Sequence, residues 1–321
     1  MGQTATVQIK QPKDPGLNRV SWKRDWKKNK TIYLLFLPVF IYFFVFHYLP
    51  LFGIVMSFQD FNISRGVFGS EFNGLDNFIE LFSGEAFPTA LRNTVAMGLL
   101  NLTVGFVAPI IFALLITNVQ WKPFRRFCQT MSYLPNFVAA VVVANLITLF
   151  IGFDGPLTGL LTSLGFEQQN WLANATPPIF WLINTFSGIW QGFGWGSIMY
   201  VAAISSISGD IHEAAAIDGA SRWQRVWKIT IPCIMPMIIM LFTLQVGLMF
   251  KIGFDKILLL YMPQTYSVAD CLYTYTYRMA FSASPDFGLA AASGLFQSVI
   301  GSVLLCFSNW LNHKASGYAL F

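Results

Sequence analysis

The chain is 321 residues long, 55% apolar and only 11% charged, with 32 Phe, 10 Trp and a mean hydropathy of +0.55. A soluble domain carries about 25% charged residues, so this composition excludes a disordered chain, a nucleic-acid arm and an ordinary soluble enzyme. The net charge is +5, and eight of the 20 Lys and Arg crowd into residues 1–30, directly before an apolar run. That placement is a membrane topology signal rather than a nucleic-acid tail.

A membrane-crossing helix needs about 20 predominantly apolar residues, and six uncharged runs are long enough. The first, 31–59, exceeds a signal-peptide core and has no small-residue cleavage site after it, so it stays as an anchor. The second is 93–121 and carries Pro109. The third, 127–153, is the weakest, because Asn136 and Asn145 interrupt it. The fourth, 168–209, reads as a re-entrant or surface piece at 171–178 followed by a span at 179–204. The fifth is 229–250 and the sixth 287–312. The fold class is thus all-α integral membrane, with six transmembrane helices.

An even number of spans puts both termini on one side. With that side cytoplasmic, the inside segments hold 15 of the 20 Lys and Arg but only 5 of the 15 Asp and Glu. This satisfies the positive-inside rule, and the inverted topology breaks it in every short loop. Outside lie 60–92, acidic with a short helix near 75–82, and 253–286. In the latter Tyr and Thr alternate at 273–277, which fits a short strand or a wall of a substrate entrance.

What the spans lack is informative. No Asp, Glu, Lys or Arg falls near a plausible bilayer midplane, where ion-coupled carriers place their ionisable groups. Energy for uphill transport would come from another protein. The four Cys are scattered without a Cys-x-x-Cys and there are three His, so neither a metal site nor a disulfide framework is indicated. An intramembrane enzyme acting on lipid or glycan would need clustered acid–base or metal groups in the spans, which the sequence does not supply. A permease for a non-sugar solute stays open as an alternative.

The cytoplasmic loop 208–228 is the unusual segment. Asp210 is placed to cap a short helix, with Glu213 in capping-box position. Ala214, Ala215 and Ala216 form helix readily and leave a smooth surface. Gly219 after Asp218 suits a left-handed helix end. Ser221 and Gln224 form a second capping box. Trp223, Val226, Trp227 and Thr230 share one helical face for packing under the membrane, and Pro232 fits the first turn of the next span. A smooth knob with one carboxylate and a tight turn suits insertion into a groove on another protein.

The stretch Glu213-Ala-Ala, then Asp218-Gly219-Ala220, then Pro232 twelve residues on, resembles the EAA loop of permease subunits of binding-protein-dependent ABC importers. Within them it is most similar to the LplB-like or MalF-like carbohydrate permeases of type I importers. Gly74-Leu-Asp-Asn-Phe78, Leu91-Arg-Asn-Thr94 and Leu134-Pro135 are similar to that family's core, and the resemblance covers about 72–311. It implies a basic cytoplasmic segment 1–30, a first transmembrane helix 31–59, an external loop 60–90, a five-helix permease core 91–312 with a coupling loop at 208–231, and a cytoplasmic tail 313–321.

The resemblance further implies a transport subunit of the bacterial cytoplasmic membrane, not an enzyme. Its partners would be a second similar permease, two ATPase subunits and an external sugar-binding protein. The coupling residues would be Glu213, Ala214, Ala215, Asp218, Gly219, Ala220 and Pro232, with Glu213 meeting a basic group of the ATPase. The substrate would be an oligosaccharide or polysaccharide. No Gly-x-x-x-x-Gly-Lys-Ser/Thr loop occurs in the chain, so ATP and Mg belong to the partner ATPases and this chain is expected to hold no cofactor. Carried over by offset from the EAA stretch, the substrate pathway would include Gln191, Trp195, Gln245, Met249 and a position near Asn136; Trp190 joins them on composition.

Overall fold

The computed structural model describes residues 22–251, 253–317 and 320; Lys10, Lys13 and Arg19 of the topology signal lie outside them. The chain divides into two units, Met1–Gly53 and Ile54–Phe321. In the first, helix α1 (Trp22–Phe43) runs into a π turn at Phe44–Tyr48. Leu34, Leu35, Phe36 and Phe40 are all exposed. A helix apolar on every face has no soluble partner to hide it and is what a bilayer accepts.

The second unit opens with a two-residue antiparallel ribbon, β1 (Gln59–Asp60) with β2 (Glu71–Phe72). The short helix expected near 75–82 follows as α2 (Asp76–Ser83). Asn77 fixes this corner: its buried Nδ2 donates to the carbonyls of Ser57 (3.1 Å) and Gln59 (3.0 Å).

Helices α3 (Ala86–Leu100) and α4 (Phe106–Thr117) are joined by a π turn at Asn101–Gly105. Pro109 lacks an N–H, and its ring would press on the carbonyl four residues back, at Gly105. The wider turn just before it absorbs that conflict without breaking the helix, so a single apolar stretch spans Ala86–Thr117.

The run 127–153 is not one span. Helix α5 (Lys122–Tyr133) carries Lys122, Arg125 and Arg126 beside exposed Phe124 and Phe127. It ends in a 3-10 turn at Leu134–Phe137 holding Pro135. The span itself is α6 (Ala140–Ile151) continued by α7 (Pro156–Ser163). The segment before the fourth span is coil and turn, with Leu172 buried in the core.

Helix α8 (Pro177–Ser205) has 29 residues, about 43 Å at 1.5 Å each. It is absent from the five stretches that, among the described residues, rank as membrane spans on length and hydropathy, because Trp, Gly, Gln and Asn dilute it. Its composition has another cause: α8 is the central helix, packed along α4 and against α3 and α5. Small residues allow close backbone approach there. At Gly194 an added Cβ would stand 2.0 Å from the Ser132 carbonyl oxygen of α5.

Beyond α8 come α9 (Gly209–Ile217), α10 (Arg222–Arg225), a π turn at Val226–Thr230, α11 (Ile231–Gly247), α12 (Phe254–Leu260), α13 (Leu272–Phe281) and α14 (Phe287–Ser316). The Tyr/Thr alternation at 273–277 is helical, not a strand. Leu272 and Tyr275, three apart, are buried, while Thr276 returns its hydroxyl to the Leu272 carbonyl at 2.8 Å. Local hydroxyl bonding of this kind overrides alternation in a short segment.

Among the described residues the core is in two clusters. One gathers Met97, Phe180, Ile257 and Leu260, and the other Leu81, Phe87, Leu272 and Leu289.

Candidate functional site

Helix α9 is the knob read from the loop sequence. Its N-cap is Ser208, whose hydroxyl accepts from the Asp210 N–H at 3.3 Å. Asp210 and Glu213 therefore do not form a capping box. The helix begins one residue before Asp210, which moves that carboxylate into the first turn, where it faces the positive end of the helix dipole.

The C-terminal end follows expectation. Gly219 takes φ +79°, its N–H donates to Ala216 O at 3.1 Å, and Ala220 N–H donates to Ala215 O at 2.9 Å. These paired bonds close the helix and turn the chain sharply. Glu213, Ala214 and Asp218 are exposed and Ala215 and Ala220 half-buried. Ile217 stands 86% exposed at the tip. Glu213 forms no ion pair with a described residue.

The Ser221–Gln224 capping box forms, with bonds of 2.8 and 3.3 Å. The predicted packing face behind it divides. Thr230 is buried and Val226 half-buried, whereas Trp223 and Trp227 are exposed. The π turn adds a residue to the repeat and rotates the two Trp off that face. Pro232 lies in the first turn of α11, and the helix enters it without interruption from Arg222. Arg225 reaches back from α10, Nη1 to the His212 carbonyl at 3.4 Å, tying α9 to the helix that follows it.

The pathway candidates fall into two groups. Gln191 Nε2 donates to Val138 O at 2.9 Å, and the Trp195 ring meets Phe137 edge-on at 5.5 Å. The 134–138 turn, with half-buried Asn136, and one face of α8 thus come together, and Gln191 holds the turn in place. Trp190 is exposed on α8. Met249 packs instead on Gly98 of α3, where an added Cβ would be 2.7 Å from its Cγ. Gln245 is half-buried on α11, and among the described residues no hydrogen bond joins it to the first group.

Sequence reasoning missed the network that holds the segment 267–278. Arg92 Nη2 donates to Ser267 O at 2.7 Å, Asn93 Nδ2 to Asp270 O at 2.9 Å, and Thr94 Oγ1 accepts from Leu272 N–H at 2.9 Å. Three consecutive side chains therefore staple the N-terminal half of α3 to 267–272. Asp270 pairs with Arg278 and accepts from Thr274 at 2.6 Å. Burial pushes the Asp270 carboxyl up, with Thr274 and Arg278 pulling the other way.

Lys256 was also missed. It is only 8% exposed on α12, and its ammonium donates to Asn184 O (2.7 Å) and Ser187 Oγ (2.9 Å) on α8. Burial lowers its pKa to about 8. Nothing in the local sequence marks it, because its partners come from a helix some seventy residues away.

Comparison with known proteins fits this geometry. Residues 105–317 match the family described as the binding-protein-dependent transport system inner membrane component. Protein LplB of Bacillus subtilis is 35% identical over 305 residues, 94% of each chain. The polygalacturonan/rhamnogalacturonan transport system permease protein YteP of the same organism is 35% identical over 311 residues, 94% of this chain and 95% of its own. A chain of a bacterial alginate ABC transporter, solved in complex with an alginate pentasaccharide-bound periplasmic protein, superposes with a TM-score of 0.84. It is 36% identical, and the match covers 93% of this chain and 99% of that one.

Proposed function

The chain belongs to the binding-protein-dependent transport system inner membrane component family, and we propose that the sugar it passes is an acidic oligosaccharide or polysaccharide handed over by an external binding protein. It is a membrane permease subunit of an ABC importer and not an enzyme; ATP is hydrolysed by separate subunits. The acidic class is supported by two relatives, whose names specify polygalacturonan/rhamnogalacturonan and alginate. Lys251, exposed two residues beyond Met249, is the group we assign to the sugar carboxylates at the outer end of α11.

The observation that carries the coupling mechanism is the exposed α9 with its left-handed Gly219 end. The helix presents a small-residue surface and the Glu213 carboxylate to a groove of an ATPase subunit. Ala214, Ala215 and Ala220 let the surfaces approach, and Asp218 and Gly219 end the helix where the groove ends. Pro232 and the π turn before it set the angle at which α11 leaves. Closure of the ATPase pair on ATP and Mg then moves α9. Arg225 passes that movement to α10, and Gly194 and Gln191 pass the motion of α8 to the 134–138 turn. Both termini lie in the cytoplasm, a reading supported by the 15 Lys and Arg on that side.

The test is the importer assembled with its second permease, ATPases and binding protein in proteoliposomes. Short uronate oligosaccharides should stimulate ATP hydrolysis and accumulate inside, and neutral oligosaccharides of equal length should not. Equal stimulation by both would remove the acidic specificity, and stimulation by neither would remove the sugar.

A further inference from the structure

Behind α9 lies a cavity of about 520 Å³, walled by the ends of α4 and α8 and by α5, α9 and α10. Arg125, Arg222, Arg225 and His212 line it, and among the described residues no Asp or Glu does. None of the three Arg pairs with a described carboxylate, since the ion pairs among the described residues are elsewhere. Arg225 spends Nη1 on a long bond to the His212 carbonyl, and its Nε is buried with no hydrogen-bond partner. A buried unpaired donor on a cation is costly, and its surroundings are polar enough to hold an anion.

Electrostatic bookkeeping sets the ligand charge. Thr117 and Ser205 close helices α4 and α8 at the cavity, and each helix C-terminus contributes about −0.5 charge. Three guanidinium groups leave a surplus of about two positive charges. The guanidinium groups approach from two helices, α5 on one wall and α10 on the other. That spread suits the several oxygens of a tetrahedral oxyanion better than the two coplanar oxygens of a carboxylate.

We propose that this cavity binds a phosphate-bearing anion, either the headgroup of an anionic phospholipid or free phosphate, and that the bound anion locks α9 to the body of the permease. Basic pockets between helices at a cytoplasmic membrane face take such headgroups. Trp121 and Phe124, exposed and stacked on each other at the start of α5, supply apolar surface next to the cavity-lining Gln120 and Arg125 for a lipid tail. Binding itself does not depend on the sugar assignment; only its consequence for ATP hydrolysis rests on the coupling reading.

The test uses the assembled importer in nanodiscs. In one arm the discs are phosphatidylcholine alone and inorganic phosphate is titrated while thermal unfolding is followed. In the other they contain equimolar phosphatidylglycerol, and lipid retained on the complex is counted by native mass spectrometry. One arm should show saturable binding, identifying the source. In Arg125→Gln/Arg225→Gln it should weaken at least about tenfold, as expected for lost charge-assisted bonds. Arg126→Gln, which lines a different cavity, should bind like wild type. If the double variant does not assemble, Arg222→Gln, an exposed position, carries the same comparison. Absence of binding in both arms, or equal binding by wild type and the arginine variants, overturns the proposal.

Discussion

Gly219 offers the sharpest test of the coupling geometry, because space and backbone conformation separate there. Its φ is +79° and an added Cβ would meet no atom within 4 Å, so a substitution acts through the backbone alone. An L-residue in the left-handed region costs about 1–2 kcal/mol, with Asn tolerated and β-branched residues worst. A penalty of that size there lowers the coupling-competent fraction by up to about 5–30-fold. Gly219→Val should therefore lose most substrate-stimulated ATP hydrolysis and uptake in proteoliposomes, with assembly of the complex intact. Gly219→Asn should stay near wild type. Full coupling by the Val variant would refute the claim that the left-handed end presents α9 to the ATPase, and equal loss in Val and Asn would mean that the side chain, not φ, matters.

Other consequences follow from packing and charge. Gly194→Ala places a Cβ on the Ser132 carbonyl at 2.0 Å, main chain that cannot swing aside. Overpacking should cost about 1–3 kcal/mol, seen as a lower thermal midpoint; an unchanged midpoint would disprove the tight α5–α8 contact. Lys256 has a pKa of about 8 against an ordinary 10.5, so the unfolded chain binds that proton more tightly. Wild-type stability should therefore rise relative to Lys256→Met between those two pH values, by about 3 kcal/mol in all, and parallel midpoint-versus-pH curves would place the ammonium in water. Gln191→Ala should lower sugar uptake by about fivefold, the worth of one hydrogen bond of about 1 kcal/mol, and Trp195→Ala by a similar factor through the lost edge-on contact with Phe137, also worth about 1 kcal/mol, both at normal expression. Normal uptake in both, and in Gln245→Ala, would move the pathway off α8.

Much of this protein is written locally. Long uncharged runs specify membrane helices because burying a charge in lipid is costly, and the Lys and Arg asymmetry carries a proposed orientation. The Gly219 turn and the Ser221–Gln224 capping box were legible because every group involved lies within a few residues of its partner. Where local signals competed, the nearer one was misread: Ser208 caps α9 in place of Asp210, and the Tyr/Thr alternation at 273–277 belongs to a helix. Other features arise only when distant segments meet. Gly194 looks like any small residue until α5 arrives against it, Lys256 looks solvated until α8 covers it, and the arginines behind α9 come to face one cavity only when α4, α5, α8, α9 and α10 converge. Those properties depend on desolvation and on distances between separate elements, which the linear order of residues does not contain.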